Sequence, residues 1–116
     1  MNVKGGKAMN DFERMCAKRE KKMQDLEDLS SQMSQLLDAL KAGQDSLSEL
    51  YDWYFNGNWL ADRDYEENHP LPENQSSGIF SEDGLYNLFQ TLDEQCEDLR
   101  TELNLWQKLL NPNDSK

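Results

Sequence analysis

The side chains able to do chemistry are few, and most are carboxylates. His69 is the one histidine and stands between Asn68 and Pro70. A nucleophilic triad or a Cys–His pair needs such an imidazole held rigidly beside a hydroxyl or thiol. A lone His beside a proline does not supply that, and nothing in the sequence marks Cys16 or Cys96 as activated. Asp62, Asp64, Glu66, Glu67 and His69 offer ligand atoms to a hard divalent cation. Their spacing lacks the central glycine and terminal glutamate of a helix-loop-helix calcium site, so an ordinary acidic loop is expected. Gly5-Gly6 fits no phosphate-cradling pattern. The sequence therefore assigns no catalytic residue, no cofactor and no metal site, and reads as non-enzymatic.

The best-organised polar feature is a row on the last third of the chain. Asp93, Glu94, Glu97, Asp98 and Glu102 place five carboxylates in ten residues. At helical spacing they lie opposite Leu92, Cys96, Leu99 and Leu103. Ten helical residues span about 15 Å, so the acids recur at close to the ~3.4 Å interval of phosphates along one DNA strand. The row suits a basic protein partner, including a nucleic-acid enzyme to which it would imitate a strand. The plainer reading is a solvated helix face.

The charge balance agrees with that polarity. The chain of 116 residues has 12 Lys and Arg against 23 Asp and Glu, a net charge of −11. Residues 1–22 hold 7 bases and 3 acids, whereas residues 23–116 hold 5 bases and 20 acids. So acidic a body repels nucleic-acid phosphates, and no direct nucleic-acid binding is expected. No apolar run approaches the ~20 residues that span a bilayer, and no apolar core of a signal peptide follows the N-terminal lysines. Two cysteines without a Cys-x-x-Cys spacing suggest free thiols in a reducing cytoplasm.

These groups must be carried by helices. From Phe12 one heptad position reads Phe12, Arg19, Leu26, Met33, Leu40, Leu47, Tyr54, and its companion reads Met15, Lys22, Leu29, Leu36, Gly43, Leu50. Such a stripe predicts a long amphipathic helix over about 9–55. Gly43 and the capping pair Ser46 and Glu49 would allow a break, but the apolar phase does not shift between Leu40 and Leu47. Asn56-Gly57 should end the helix in a left-handed residue, and a short helical turn should cover 58–66. Residues 67–80 should be loop. Ser81 should cap the last helix, with Glu82 and Asp83 in its first turn. That helix has an unbroken seam of Leu85, Phe89, Leu92, Cys96, Leu99, Leu103, Trp106 and Leu110, and Asn111-Pro112 stops it.

The expected architecture is all-α: a long antiparallel helical hairpin, coiled-coil-like, with an aromatic-anchored middle segment. Residues 1–8 are expected to be a flexible leader and 9–116 a single helical domain. The first helix, roughly 70 Å, would outreach the second, roughly 43 Å. Its stripe of Phe12, Met15, Cys16 and Met23 would then need a second copy or another protein.

The middle is the most distinctive stretch. Tyr51, Trp53, Tyr54, Phe55 and Trp59 are followed by Asp62, Glu66-Glu67, Leu71-Pro72 and the run from Gly78 to Leu88 that contains Ser81, Glu82, Asp83, Gly84, Leu85 and Tyr86. This order resembles a family of small bacterial proteins catalogued as domain of unknown function 4298. That family carries a tyrosine pair, a Trp followed by an Asp, an acidic pair, Leu-Pro, and a Gly-Val-Leu-Ser-Glu-Asp-Gly-Leu-Tyr segment. The resemblance covers roughly residues 50–100. This chain departs from it at Gln75-Ser76-Ser77, where the family tends to have bases. What the resemblance implies is the fold, with no activity attached.

Read from the residues themselves, Tyr54, Trp59, Asp62, Gly78, Ser81, Asp83 and Tyr86 form a structural motif. Large rings need burial and one polar partner each, which the nearby acids can supply. A ligand or peptide pocket rimmed by acids is the functional alternative. For the whole chain, the leading expectation is a protein-binding inhibitor or regulator with a basic partner, as in phage or mobile-element anti-defence factors such as anti-CRISPR proteins. The alternative is a homo-oligomeric scaffold or adaptor, a homodimer in its simplest form, that uses the N-terminal stripe.

Overall fold

The computed structural model describes residues 9–114. The leader expected at 1–8 lies outside the described residues. Three helices follow in order: α1 over Asp11–Asn56, α2 over Trp59–Asn68 and α3 over Gly84–Leu110. Short 3-10 turns lie at Gly78–Phe80 and Pro112–Asp114. Among the described residues there is no strand. The protein is all-α, a helical hairpin with an aromatic-anchored middle segment, as its heptads predict. No helix is long and apolar enough to cross a membrane among these residues.

The start of α1 is built by a reciprocal capping box. The Asn10 side-chain oxygen accepts the Glu13 backbone N–H at 2.8 Å, and Glu13 accepts the Asn10 N–H at 2.9 Å. Asp11 and Glu13 also place negative charge against the positive end of the helix. Arg14 turns back to the Met9 carbonyl at 2.6 Å and pairs with Asp11.

α1 then runs through Gly43 without a break. A helix-interior glycine costs about 1 kcal/mol, but Leu40, Lys41 and Ala42 before it are strong helix formers. The Ser46 and Glu49 capping pair is therefore never used as a helix start. Gly57 follows the helix for a different reason from the one its sequence suggests, because its φ lies outside the left-handed region. A Cβ there would approach both Cα and O of Trp53 to 3.0 Å. Close backbone packing, not handedness, disfavours a side chain at that turn.

The entry to α3 also differs from expectation. Ser81 does not cap α3; it closes the 3-10 turn, donating its N–H to the Gly78 carbonyl at 3.1 Å. Asp83 holds the N-cap position without a side-chain bond, and no acid stands in the first turn of α3. The glycine within the Ser-Glu-Asp-Gly run explains the arrangement. A Cβ on Gly84 would lie 2.2 Å from the Ser81 hydroxyl oxygen and 3.1 Å from the Gly78 carbonyl. Gly78 itself is not crowded, since a Cβ there would meet only Ser76 Oγ at 3.6 Å. The crowded glycine of this run is therefore Gly84 and not Gly78. The far end of α3 is as predicted, with Asn111 as C-cap donating its N–H to Gln107 at 2.9 Å.

The chain divides into two compact units, one ending at Ser46 and one beginning at Leu47. In the first, the described residues form α1 alone, and none of α1 is buried. The second contains the end of α1, α2 and α3. Its buried apolar side chains are Trp59 and Leu85, at 8% and 6% exposure. The α3 seam is covered only at its start. Leu85 is buried and Phe89 half-buried, but Leu92, Leu99, Leu103, Trp106 and Leu110 are exposed. Cys16 and Cys96 are both free thiols and exposed, although each lies on an apolar face. A heptad pattern fixes which residues share a face; it does not fix what covers that face.

Candidate functional site

The chain's distinctive residues meet in the second unit, around Trp59. Tyr51, Tyr54 and Phe55 lie at helical spacings of three and four, so they share one face of α1. All three rings reach Phe89 of α3, with centroids at 5.3, 5.9 and 5.9 Å respectively. Trp59, the first residue of α2, sets its ring 4.8 Å from Tyr54. Arg63, one turn further on, lies 5.6 Å over the indole, within cation–π range. Each such ring pair adds about 0.5–1.5 kcal/mol beyond its buried area.

Both indoles at this junction find acceptors. Trp59 donates its N–H to the Ile79 carbonyl at 2.8 Å, which ties α2 to the 3-10 turn. Trp53 donates to the Asp62 carboxylate at 2.8 Å, which ties α1 to α2 across the Gly57 turn. The Trp53 ring also meets Phe80 edge-on at 5.7 Å. Of the acids near these rings, Asp62 is the one that serves an indole, that of Trp53.

The remaining members of the motif have smaller tasks. Asp83 accepts the Asn87 backbone N–H through its own carbonyl at 2.9 Å. The Tyr86 hydroxyl accepts from Gln90 at 3.1 Å, and the ring is 44% exposed. The acidic loop is drawn into helix α2 instead of forming a ligand cage. His69 stacks on Tyr65 at 4.1 Å with its ring 12° from parallel, and its Nδ1 lies 3.2 Å from the Tyr65 carbonyl. Among the described residues no three His, Cys, Asp or Glu groups gather closely enough to hold a metal ion. Chemically, the junction spends its polar groups on holding three elements together.

The two proposed binding surfaces lie elsewhere. Asp93, Glu94, Glu97, Asp98 and Glu102 are all exposed on α3. One ion pair touches the row, Arg100 to Glu97 at 3.8 Å, between side chains 73% and 67% exposed. In the first unit Phe12 and Met23 are 68% and 52% exposed, Cys16 is exposed and Met15 is half-buried. The stripe continues along α1 with Leu26, Met33, Leu36 and Leu40 exposed.

Three contributions escaped the sequence reading. The capping box at Asn10 and Glu13 has a plain sequence signal, an Asn followed three residues later by Glu. The Gly84 contact is signalled by a glycine at a helix start where an ordinary helix former would otherwise stand. The Trp53–Phe80 contact has no local signal, because it depends on how two turns fold back.

Residues 16–102 match the family model described as Domain of unknown function (DUF4298). No curated protein and no solved structure matches the chain.

Proposed function

This chain belongs to the DUF4298 family, and we propose that within that helical frame it works by binding other protein chains, not by catalysis. The observation that carries the reading is the apolar stripe of α1. Leu26, Met33, Leu36 and Leu40 are each 40–53% exposed, and no residue of α1 is buried. A helix that orders about ten turns without covering its apolar face gains little from packing. Contiguous exposed apolar surface on that scale is the mark of an interaction site. The protein is then a scaffold, adaptor or regulator that acts in the bacterial cytoplasm and is completed by what lies on that stripe.

The test compares capture of protein chains by the full-length protein and by a Leu26→Asp/Met33→Asp variant, in bacterial lysate at high salt. The expected result is a partner, a second copy or another protein, that the variant loses while its far-UV helicity stays. Capture of the same chains by both baits, or of none by either from a protein that is itself monomeric, would overturn the reading.

A second reading rests on the α3 row. Four of its five carboxylates have no ion-pair partner among the described residues, and the fifth shares only Arg100. Unpaired charge of one sign steers oppositely charged partners. On this reading the protein inhibits a basic nucleic-acid enzyme by imitating a strand, as an anti-CRISPR or other phage anti-defence protein would. Glu94→Lys, Glu97→Lys and Asp98→Lys together should abolish binding of a partner that is held at low salt and released at high salt. Survival of that binding would sink this reading.

A further inference from the structure

Resting on the apolar-stripe reading, we propose that the occupant of the stripe is a second copy of this chain. It lies antiparallel along α1, in the register that sets Arg19 against the second copy's Gly43.

The stripe has two irregularities in its first unit, and they are complementary. Arg19 and Lys22 put cationic stems where apolar side chains should be, and Gly43 leaves a gap with nothing within 4 Å of its would-be Cβ. In antiparallel heptad packing, each residue of one seam position meets a residue of the other position. One register pairs Leu29 with Met33, Leu26 with Leu36, Lys22 with Leu40 and Arg19 with Gly43, every pair occurring twice by two-fold symmetry. The longest seam side chain then crosses the only missing one, and its aliphatic stem fills that gap while its guanidinium reaches water. Beside the seam, Met23 and Leu37, 52% and 55% exposed, come together as well.

Charge selects the same orientation. Residues 13–24 hold five bases and two acids, and residues 38–49 hold three acids and one base. The antiparallel register lays the first segment of each copy along the second segment of the other. A parallel in-register pair would instead bring the two basic segments together and set Gly43 against Gly43, which leaves a void. An antiparallel shift by one heptad would move Arg19 onto a leucine.

The full chain tests this directly. Light scattering should give twice the 13.5 kDa chain mass. In a Cys96→Ser background, Gln44→Cys should join to Cys16 of the second copy through a short bismaleimide linker. The two positions are roughly 42 Å apart along one helix, so that bridge forms only between copies. Gly43→Arg should weaken the dimer by about tenfold or more through like-charge contact with Arg19. Helicity should not fall, because Arg is the better helix former. A monomeric mass, bridges that join like positions (Cys16 to Cys16, or one introduced thiol to the other), or a Gly43→Arg dimer as tight as the parent would each overturn the proposal. A monomer that still loses a foreign partner on Leu26→Asp/Met33→Asp overturns the dimer alone. A monomer with no such partner overturns the stripe reading with it.

Discussion

The Trp53 indole N–H points at the Asp62 carboxylate from 2.8 Å, across the turn that separates α1 from α2. Nine residues of sequence are closed by this bond, and Gly57 lies between its ends with its backbone against Trp53 itself. The bond is partly open to solvent, so its net worth should be about 1 kcal/mol. Asp62→Ala and Trp53→Phe should each lower unfolding stability. Their double variant should lose less than the two effects added. Strict additivity in a urea melt would mean the bond contributes nothing.

Trp59 should be the least replaceable side chain of the junction. It is buried, sets its ring at a tilt against Tyr54 and donates to the Ile79 carbonyl. Trp59→Ala should cost about 3 kcal/mol or more, a large share of what so thinly covered a fold can have. Trp59→Phe keeps the ring contact and loses the hydrogen bond, so it should cost less. Thermal melts of the two variants that fell together would show that the ring contacts are unimportant.

Gly84→Ala should destabilise although alanine favours helices. The new methyl would strike the Ser81 hydroxyl and crowd the Gly78 carbonyl. Ser81→Ala should return part of the loss, because the nearer clash is removed while the carbonyl contact stays. A Gly84→Ala protein that melts higher than its parent would show that this turn is loose.

Asn10→Ala removes the acceptor for the Glu13 N–H and should cost about 1 kcal/mol of helix stability at that end. The effect should be local. Amide exchange should speed up over the first turn of α1 and stay unchanged at the aromatic junction, which belongs to the other unit. Faster exchange throughout the chain would mean that the helix start controls the whole fold.

Much of this architecture is legible in the residues. The unshifted phase from Leu40 to Leu47 carries α1 through Gly43, and Asn111-Pro112 ends α3 where expected. Both follow from local rules that act within one or two turns. Ser81 shows where such rules stop. It has the composition of a helix cap, yet a carbonyl at Gly78 and a close neighbour at Gly84 give it another task. The seam from Leu92 onward shows a second limit, since periodicity names a face and its cover is a matter of tertiary or quaternary structure. At the candidate site Asp62 could be read as an indole acceptor from its neighbours in sequence. Which indole it serves depends on the turn at Gly57.

The three tryptophans occupy three different settings, which makes the unlabelled protein its own optical probe. Trp59 is buried, Trp53 is half-buried beside a carboxylate, and Trp106 stands 37% exposed near the far end of α3. Loosening of the junction would red-shift the first two emissions and leave the third alone. A chain settling on the distal part of α3 would shift only Trp106, and to the blue. Emission can tell these two events apart without a dye.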